Sequence, residues 1–588
     1  MASNRLIRLF LMLLLLLPAC QKVPQFSPVA DPIVPSSIDG SKLRKRLDFE
    51  DLISGFDSEG IIDEEVLGMP DDALPSPHVF QGRLELLGEA ETGDGTVLKG
   101  SLSDEYMHLP EFNFSFIQWE DYLIPTQRGL IITEQSTYDF ILEPGRIWME
   151  VGDQGFSRAS LPFALVFKGQ NGLLNGTLTF LFDGENVSKA WYQITQETTT
   201  NTRVNLWGLL ESNYHPEKRN DVDQIQEAFS TELAQMLPTE PIENLANKYP
   251  GLELSAFGSG VTPEHMAWYG VVVDGVNYLG GCQTRAGTYP YCEWMRQPSY
   301  SVAKSTFPAL ALMRLAQVYG PQVSELLIKD YVPEAVESRG NWDEVTFNHA
   351  LDMATGNYDS AEFMVDDNSP KMNEFFGSST LDEHINHAFN WPNREEPGRT
   401  WVYRTSDTFL VTRAMQNYLQ SQTGRDEDIF DYVVEQIYRP ISLGPGAYTS
   451  MRTSDNNWQG QAEGGYGLWW IPDDIAKLGT FLLLQDGKIE GKSVLDPDLL
   501  AATLQKDPQD RGLRIGQNSF YNNAFWAQGF GMEQGFSCEF WVVDWQGISG
   551  NVVVLMPNGV IYYYFSDNQE FVISPAVIAA DQIHPFCP

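Results

Sequence analysis

Between Phe80 and Thr195 apolar and polar residues alternate in short runs: Phe80 to Leu87, Gly129 to Thr133, Leu174 to Phe182 and Trp191 to Thr195. A period of two puts successive side chains on opposite faces of a strand, and Gly93-Asp94-Gly95 and Asp183-Gly184-Glu185 supply turns between runs. Residues 78–212 are therefore expected to form an all-β domain, an antiparallel sandwich or barrel, with no chemical constellation of its own. The period then changes. Val222 to Met236 is apolar at helical spacing, and Trp268 to Leu279 reads as a strand pair around the two-residue turn signal Asp274-Gly275. Helical segments dominate from about Tyr300, and strands return at Glu539 to Asp544 and Val552 to Phe565. Strands, then helices, then strands predict an α+β domain over residues 225–588 whose sheet joins distant parts of the chain. No repeat of fixed period is present.

At the N-terminus, Arg5 and Arg8 precede an apolar run from Leu9 to Leu17 that is too short to span a bilayer. A basic segment, a short apolar run and a small residue before the cut predict an export signal over residues 1–19. Leu17-Pro18-Ala19-Cys20 resembles a bacterial lipobox, which implies lipidation of Cys20. Gln21 rather than Asp follows, which by the same resemblance implies an outer-membrane anchor facing the periplasm. Residues 20–77, rich in Pro, Ser and Asp, are expected to tether the rest to the membrane, with a short helix around Lys42 to Gly55.

Composition narrows the partners. The 588 residues carry 38 Lys and Arg against 79 Asp and Glu, a net charge of −41 that repels phosphate backbones and excludes nucleic acid as an expected partner. With Cys20 lipidated, Cys282, Cys292, Cys538 and Cys587 remain, and four cysteines allow three connectivities. An exported protein sits where disulfides persist. Cys282 and Cys292 bracket what reads as a hairpin tip, so 282–292 and 538–587 are the expected bridges. Zinc is the competing reading, weakened by the missing C-x-x-C spacing.

Candidate chemistry lies at Ser301-Val302-Ala303-Lys304, the chain's only S-x-x-K. Positions i and i+3 share a helix face, so Lys304 lies over Ser301. A buried amine beside a hydroxyl loses its proton more readily and activates the serine as a nucleophile. Alone the tetrapeptide is unspecific. Further segments follow in order: Thr346 to Gly356 with Leu351-Asp352-Met353, Pro397-Gly398-Arg399-Thr400-Trp401-Val402-Tyr403, Gly465 to Trp469 with Asp473-Asp474-Ile475-Ala476, and Trp545-Gln546-Gly547-Ile548. In order and spacing these resemble the serine β-lactamase and penicillin-binding-protein superfamily, in its class C-like branch with β-lactamase-fold esterases and 6-aminohexanoate-oligomer hydrolases. The resemblance covers about residues 225–588. It implies an antiparallel sheet with flanking helices and a helical subdomain, no cofactor or metal, and a small ester or amide as substrate.

The resemblance also implies roles. Ser301 is the acyl-accepting nucleophile and Lys304 holds and helps deprotonate it. Tyr403 is the general base of acylation, its phenol requiring a nearby cation, Lys304, to ionise near neutral pH. The backbone N–H groups of Ser301 and Ile548 form the oxyanion hole. Arg404, Thr405, Trp545 and Gly547 are the expected substrate contacts. Two departures matter: Thr405 stands where the second motif often has Asn, and Trp545 where the third often has Lys or His. Trp545 cannot grip a substrate carboxylate, although Arg404 could partly replace that charge. The expectation therefore moves from β-lactams toward esters or amides lacking the carboxylate. The rivals are a β-lactamase or D-Ala peptidase acting on cell wall, and a non-catalytic lipoprotein working through its β domain. His384 and His387, at i and i+3, read as a solvated helix face rather than metal ligands; His349 reads as packing and Asp352 as structural. Trp391, Trp401, Trp469, Trp470, Trp526 and Trp545 are candidates to line an apolar acyl site.

Overall fold

The computed structural model describes residues 47–55, 60–88, 95–99, 104–199 and 202–587. The export signal, Cys20, the first part of the expected tether and the turn residues Gly93 and Asp94 lie outside the described residues.

The alternating region closes on itself. Strands Gln81–Leu87, Asn113–Trp119, Tyr122–Pro125, Gly145–Trp148, Ser157–Phe167, Leu173–Phe182, Ala190–Thr198 and Arg203–Pro216 each pair antiparallel with the next, and the last pairs back on the first. Of the two expected outcomes it is the barrel that forms, and closure leaves these strands no open edge. Phe80, Phe116, Phe163, Phe180 and Tyr192 fill the interior. The outer wall is covered as well. Strand Leu173–Phe182 is buried along its whole length, with Leu174, Leu178 and Phe180 facing inward and Leu173 and Leu181 facing other parts of the chain.

Part of the expected tether is folded. Leu47, Leu52, Ile62 and Leu67 bury against Leu181, Trp191 and Leu209 on the barrel's outside, and helix Phe49–Ser54 is capped by Asp48. The average composition of residues 20–77 is polar, but these four side chains sit where the wall is apolar.

The second sheet has nine strands in the order Thr239–Pro241, Val276–Gly281, Met266–Val273, Ile561–Ser566, Asn551–Leu555, Phe540–Gly547, Phe525–Phe530, Ser519–Asn522 and Leu513–Gly516. All pairs are antiparallel except the first. The early hairpin turns on Asp274 and Gly275, both at positive φ (52° and 78°), as a two-residue turn with this twist requires. Strand parity sorts the two faces. Val271, Val552, Val554 and Tyr562 lie under helix Ser574–Ile583. Trp268, Val543, Trp545 and Val553 pack against helices Val302–Thr306, Pro308–Tyr319 and Pro472–Leu483. Further helices, among them Phe347–Leu351, Pro370–Phe376 and Thr405–Thr423, build the helical part. This is the α+β arrangement expected for residues 225–588. Disulfides join Cys282 to Cys292 and Cys538 to Cys587. No helix of the described residues is long and apolar enough to cross a membrane.

Barrel and α+β unit meet through a polar seam. Arg296, 1% exposed, donates to Glu143 of the barrel (2.7 Å), to Asp474 (3.1 Å) and to the Trp469 carbonyl (2.8 Å). Asn175 of the barrel bonds both the N–H and the carbonyl of Arg296, and the Tyr289 and Tyr291 hydroxyls donate to the barrel carbonyls of Gly176 and Ser160. Polar groups this deeply buried are tolerable only when partnered.

Candidate active site

Ser301 sits at the start of helix Val302–Thr306, directly after Tyr300, whose φ of 42° lies in the left-handed region. A residue with a Cβ holds that conformation only where its surroundings enforce it. One helical turn on, the Lys304 ammonium, 1% exposed, reaches the Ser301 Oγ at 2.8 Å, the Thr405 Oγ1 at 3.0 Å and the Gly465 carbonyl at 3.1 Å. Burial draws the amine down to about 7, a fall that the Asp367 carboxylate opposes.

Tyr403 arrives on the extended run before helix Thr405–Thr423. Its ring centroid is 5.0 Å from the Lys304 Nζ, which itself contacts Ser301. The structure thus brings Ser301, Lys304 and Tyr403 together. It changes the protonation expected of the tyrosine. Burial, and then the Asp367 carboxylate, push the phenol well above its ordinary value. A phenol held neutral is a proton donor rather than an acceptor.

Strand Phe540–Gly547 passes beside the nucleophile turn. A Cβ on Gly547 would lie 2.7 Å from the Ser299 carbonyl and 3.3 Å from the Ser301 nitrogen, so only glycine permits this approach. Among the described residues neither the Ser301 nor the Ile548 N–H donates to a protein acceptor. Both amides stand at the segment junction that Gly547 brings into contact, where a developing oxyanion would need them.

The other expected substrate contacts are placed differently. Trp545 is fully buried, edge-on to Phe525 at 5.9 Å in the core beneath the helices, because strand parity turns it inward with Val543. Arg404, 1% exposed, donates to both Asp407 oxygens (2.8 and 2.6 Å) and to Thr355 (2.6 Å). Both are buried, and the Arg404 charge is paired with Asp407, so it is not free for a substrate carboxylate. Thr405 is buried too; it accepts from Lys304 and donates to Asp367 (3.3 Å). Trp391, Trp469 and Trp470 are core residues. Trp401 and Trp526 remain near the site, Trp526 stacked on Tyr403 at 5.8 Å. His384 is buried beside Glu463 rather than solvated, and among the described residues no three His, Cys, Asp or Glu side chains are grouped to hold a metal ion. Asp352 accepts from Asn348 (2.8 Å) and from the Asn523 N–H (2.6 Å), a structural tie.

Three participants are not foreseen in the sequence. Asp367 accepts from the Thr405 N–H at 2.6 Å and faces Lys304 and Tyr403. Phe363, 65% exposed, stacks on Trp401 at 5.6 Å. Its loop is folded by Asp366, which accepts from the N–H groups of Asp359 and Ser360 at 2.9 Å. Asn171, from the barrel, reaches the nucleophile turn. A doubled Asp366-Asp367 after an aromatic was the only signal available for the first two, and it is not specific.

No protein-family model and no curated protein matches the sequence. Solved structures similar to the chain include members of the serine β-lactamase fold. They include a protein assigned as a 6-aminohexanoate-dimer hydrolase from Bacillus anthracis, 16% identical over 58% of this chain and 80% of that one, with a TM-score of 0.41. A class C β-lactamase is 13% identical over 62% and 98%, with a TM-score of 0.39. EstCE1, a hydrolase with promiscuous acyltransferase activity, is 13% identical over 58% and 99%, with a TM-score of 0.42.

Proposed function

We propose that this protein is a serine hydrolase that cleaves small esters or amides through an acyl-Ser301 intermediate. The observation that carries the reading is the 2.8 Å contact between a fully buried Lys304 amine and the Ser301 hydroxyl. In its neutral form Lys304 accepts the Ser301 proton as Oγ attacks the substrate carbonyl carbon. The negative charge passes to the carbonyl oxygen, facing the Ser301 and Ile548 N–H groups. Collapse of the tetrahedral intermediate breaks the bond to the leaving group, which takes a proton from the Tyr403 phenol; Lys304 restores that proton. Water, deprotonated by the same amine, then attacks the acyl carbon; the bond to the Ser301 Oγ breaks as the amine's proton passes to Oγ, and the acid leaves.

The burial of Trp545 and the pairing of Arg404 with Asp407 favour substrates without a carboxylate beside the scissile bond. Phe363, Trp526 and the 44% exposed Ile548 favour an apolar acyl group. A lipid on Cys20 would hold the enzyme at the periplasmic face of the outer membrane. Hydrolysis of p-nitrophenyl butyrate that disappears in Ser301→Ala supports the reading, and unchanged hydrolysis in that variant refutes it. Turnover of nitrocefin as fast as of the ester would instead favour a β-lactamase.

A further inference from the structure

The barrel's interior is filled by aromatic side chains. Among its contacts with the rest of the chain, one reaches the nucleophile segment itself. The tip between strands Ser157–Phe167 and Leu173–Phe182 presents Asn171, 3% exposed, to the segment that bears the nucleophile. The Asn171 Oδ1 accepts from the Tyr300 N–H at 2.7 Å, from the Gly467 N–H at 3.0 Å and from the Ser299 Oγ at 3.1 Å. Its Nδ2 donates to the Leu468 carbonyl at 3.1 Å. Ser299 completes the ring, its N–H donating to the Leu468 carbonyl (2.8 Å) and its Oγ accepting from the Leu468 N–H (3.0 Å). One barrel amide therefore ties the turn before Ser301 to the chain next to Gly465, whose carbonyl holds Lys304.

The bonded N–H belongs to Tyr300, the residue held at φ 42°. The barrel grips the same residue a second time, since the Tyr300 hydroxyl donates to the Thr198 carbonyl at 3.1 Å. A strained turn keeps its shape only while its surroundings over-determine it, and here those surroundings come from another sheet, 129 residues earlier in sequence. Released, Tyr300 relaxes toward an ordinary φ, and the next residue to move is Ser301, away from Lys304 and from the junction with Gly547.

We infer that Asn171 is a positioning residue of the catalytic site, and that the barrel's role is to hold the nucleophile turn in its reactive, left-handed conformation. The inference rests on the proposed serine chemistry and adds to it a part of the chain the family motifs do not reach.

The test compares two barrel residues in the full-length protein. Asn175 bonds Arg296 across the same seam but touches neither Tyr300 nor Ser301. Asn171→Ala and Asn175→Ala both loosen the seam, and both are expected to lower Tm. Only Asn171→Ala is expected to lower kcat for p-nitrophenyl butyrate and the rate of Ser301 labelling by a fluorophosphonate, on the order of 100-fold, with KM little changed, as for a misplacement of about 1 Å. Asn171→Asp keeps the acceptor oxygen for Tyr300 and Gly467 and is expected to recover most of the loss. Hydrogen exchange at the Tyr300 amide is expected to rise in Asn171→Ala and stay unchanged in Asn175→Ala. Equal kcat losses in the two alanine variants, or wild-type labelling by Asn171→Ala, would overturn the inference. If the unsubstituted protein fails to label at Ser301, the hydrolase reading falls, and exchange at Tyr300 still decides whether the barrel holds this turn.

Discussion

Replacing Asp367 by Asn should move the acidic limb of the pH–rate profile toward lower pH. Lys304 Nζ and an Asp367 oxygen both contact the Thr405 Oγ1, at 3.0 and 3.3 Å, which puts the two charges no more than about 6 Å apart. At that separation and an effective dielectric of about 20 they attract by about 3 kcal/mol, equivalent to about two pH units. The attraction favours the protonated amine, so it works against the burial that draws Lys304 down to about 7. In the proposed mechanism activity needs the neutral amine. In the wild type, kcat/KM for p-nitrophenyl butyrate should therefore rise with pH through about 7. In Asp367→Asn the rise should come one to two pH units lower, as the Coulomb figure allows. Asn still accepts from the Thr405 N–H, so the loop stays in place and KM should change little. Coincident acidic limbs, or a shift to higher pH, would show that Asp367 does not act on the base of acylation.

Burial raises the Glu463 carboxyl to about 8. A folded value above the unfolded one gives stability that is complete below about pH 4.5 and lost as pH rises through 8, so Glu463→Gln should raise Tm at pH 9 but not at pH 5, by the equivalent of on the order of 4 kcal/mol. Arg404→Met strands the buried Asp407 and should destabilise by about 3–5 kcal/mol in denaturant melts, with the double variant Arg404→Met, Asp407→Leu recovering much of it; a raised KM at unchanged stability would instead restore Arg404 as a substrate contact. Phe363→Ala removes an exposed aromatic wall and should lower kcat/KM for butyrate about tenfold more than for acetate, the worth of about 1.4 kcal/mol of contact; equal losses would remove Phe363 from the acyl site.

What could be read from the sequence was local. Ser301 and Lys304 share a helix turn, and Asp274-Gly275 dictates its own geometry, so spacing alone fixes both. Tyr403 needed the order of several segments. Alternation predicted strands over 78–212, but closure depends on Arg203–Pro216 finding Gln81–Leu87, a pairing no local pattern encodes. Trp545 was misassigned because which face of strand Phe540–Gly547 meets the helices is a property of the sheet, not of the residue. Arg404 was misassigned because its partner, Asp407, lies in the first turn of the helix it caps and takes its charge. Lys304 as a neighbour of Tyr403 was legible in the sequence, whereas the burial and the Asp367 carboxylate that raise the phenol come from the fold. Asn171 and Asp367 were invisible because their partners are long-range and an asparagine or aspartate in a polar loop has no distinguishing pattern.

The central claim is that Ser301 carries the acyl group during turnover. Quenched-flow mass spectrometry during p-nitrophenyl butyrate hydrolysis tests it most directly. One butyryl adduct, mapped to the peptide containing Ser301 and absent from Ser301→Ala, is the predicted result. Turnover with no adduct, or with the adduct on another residue, would contradict it.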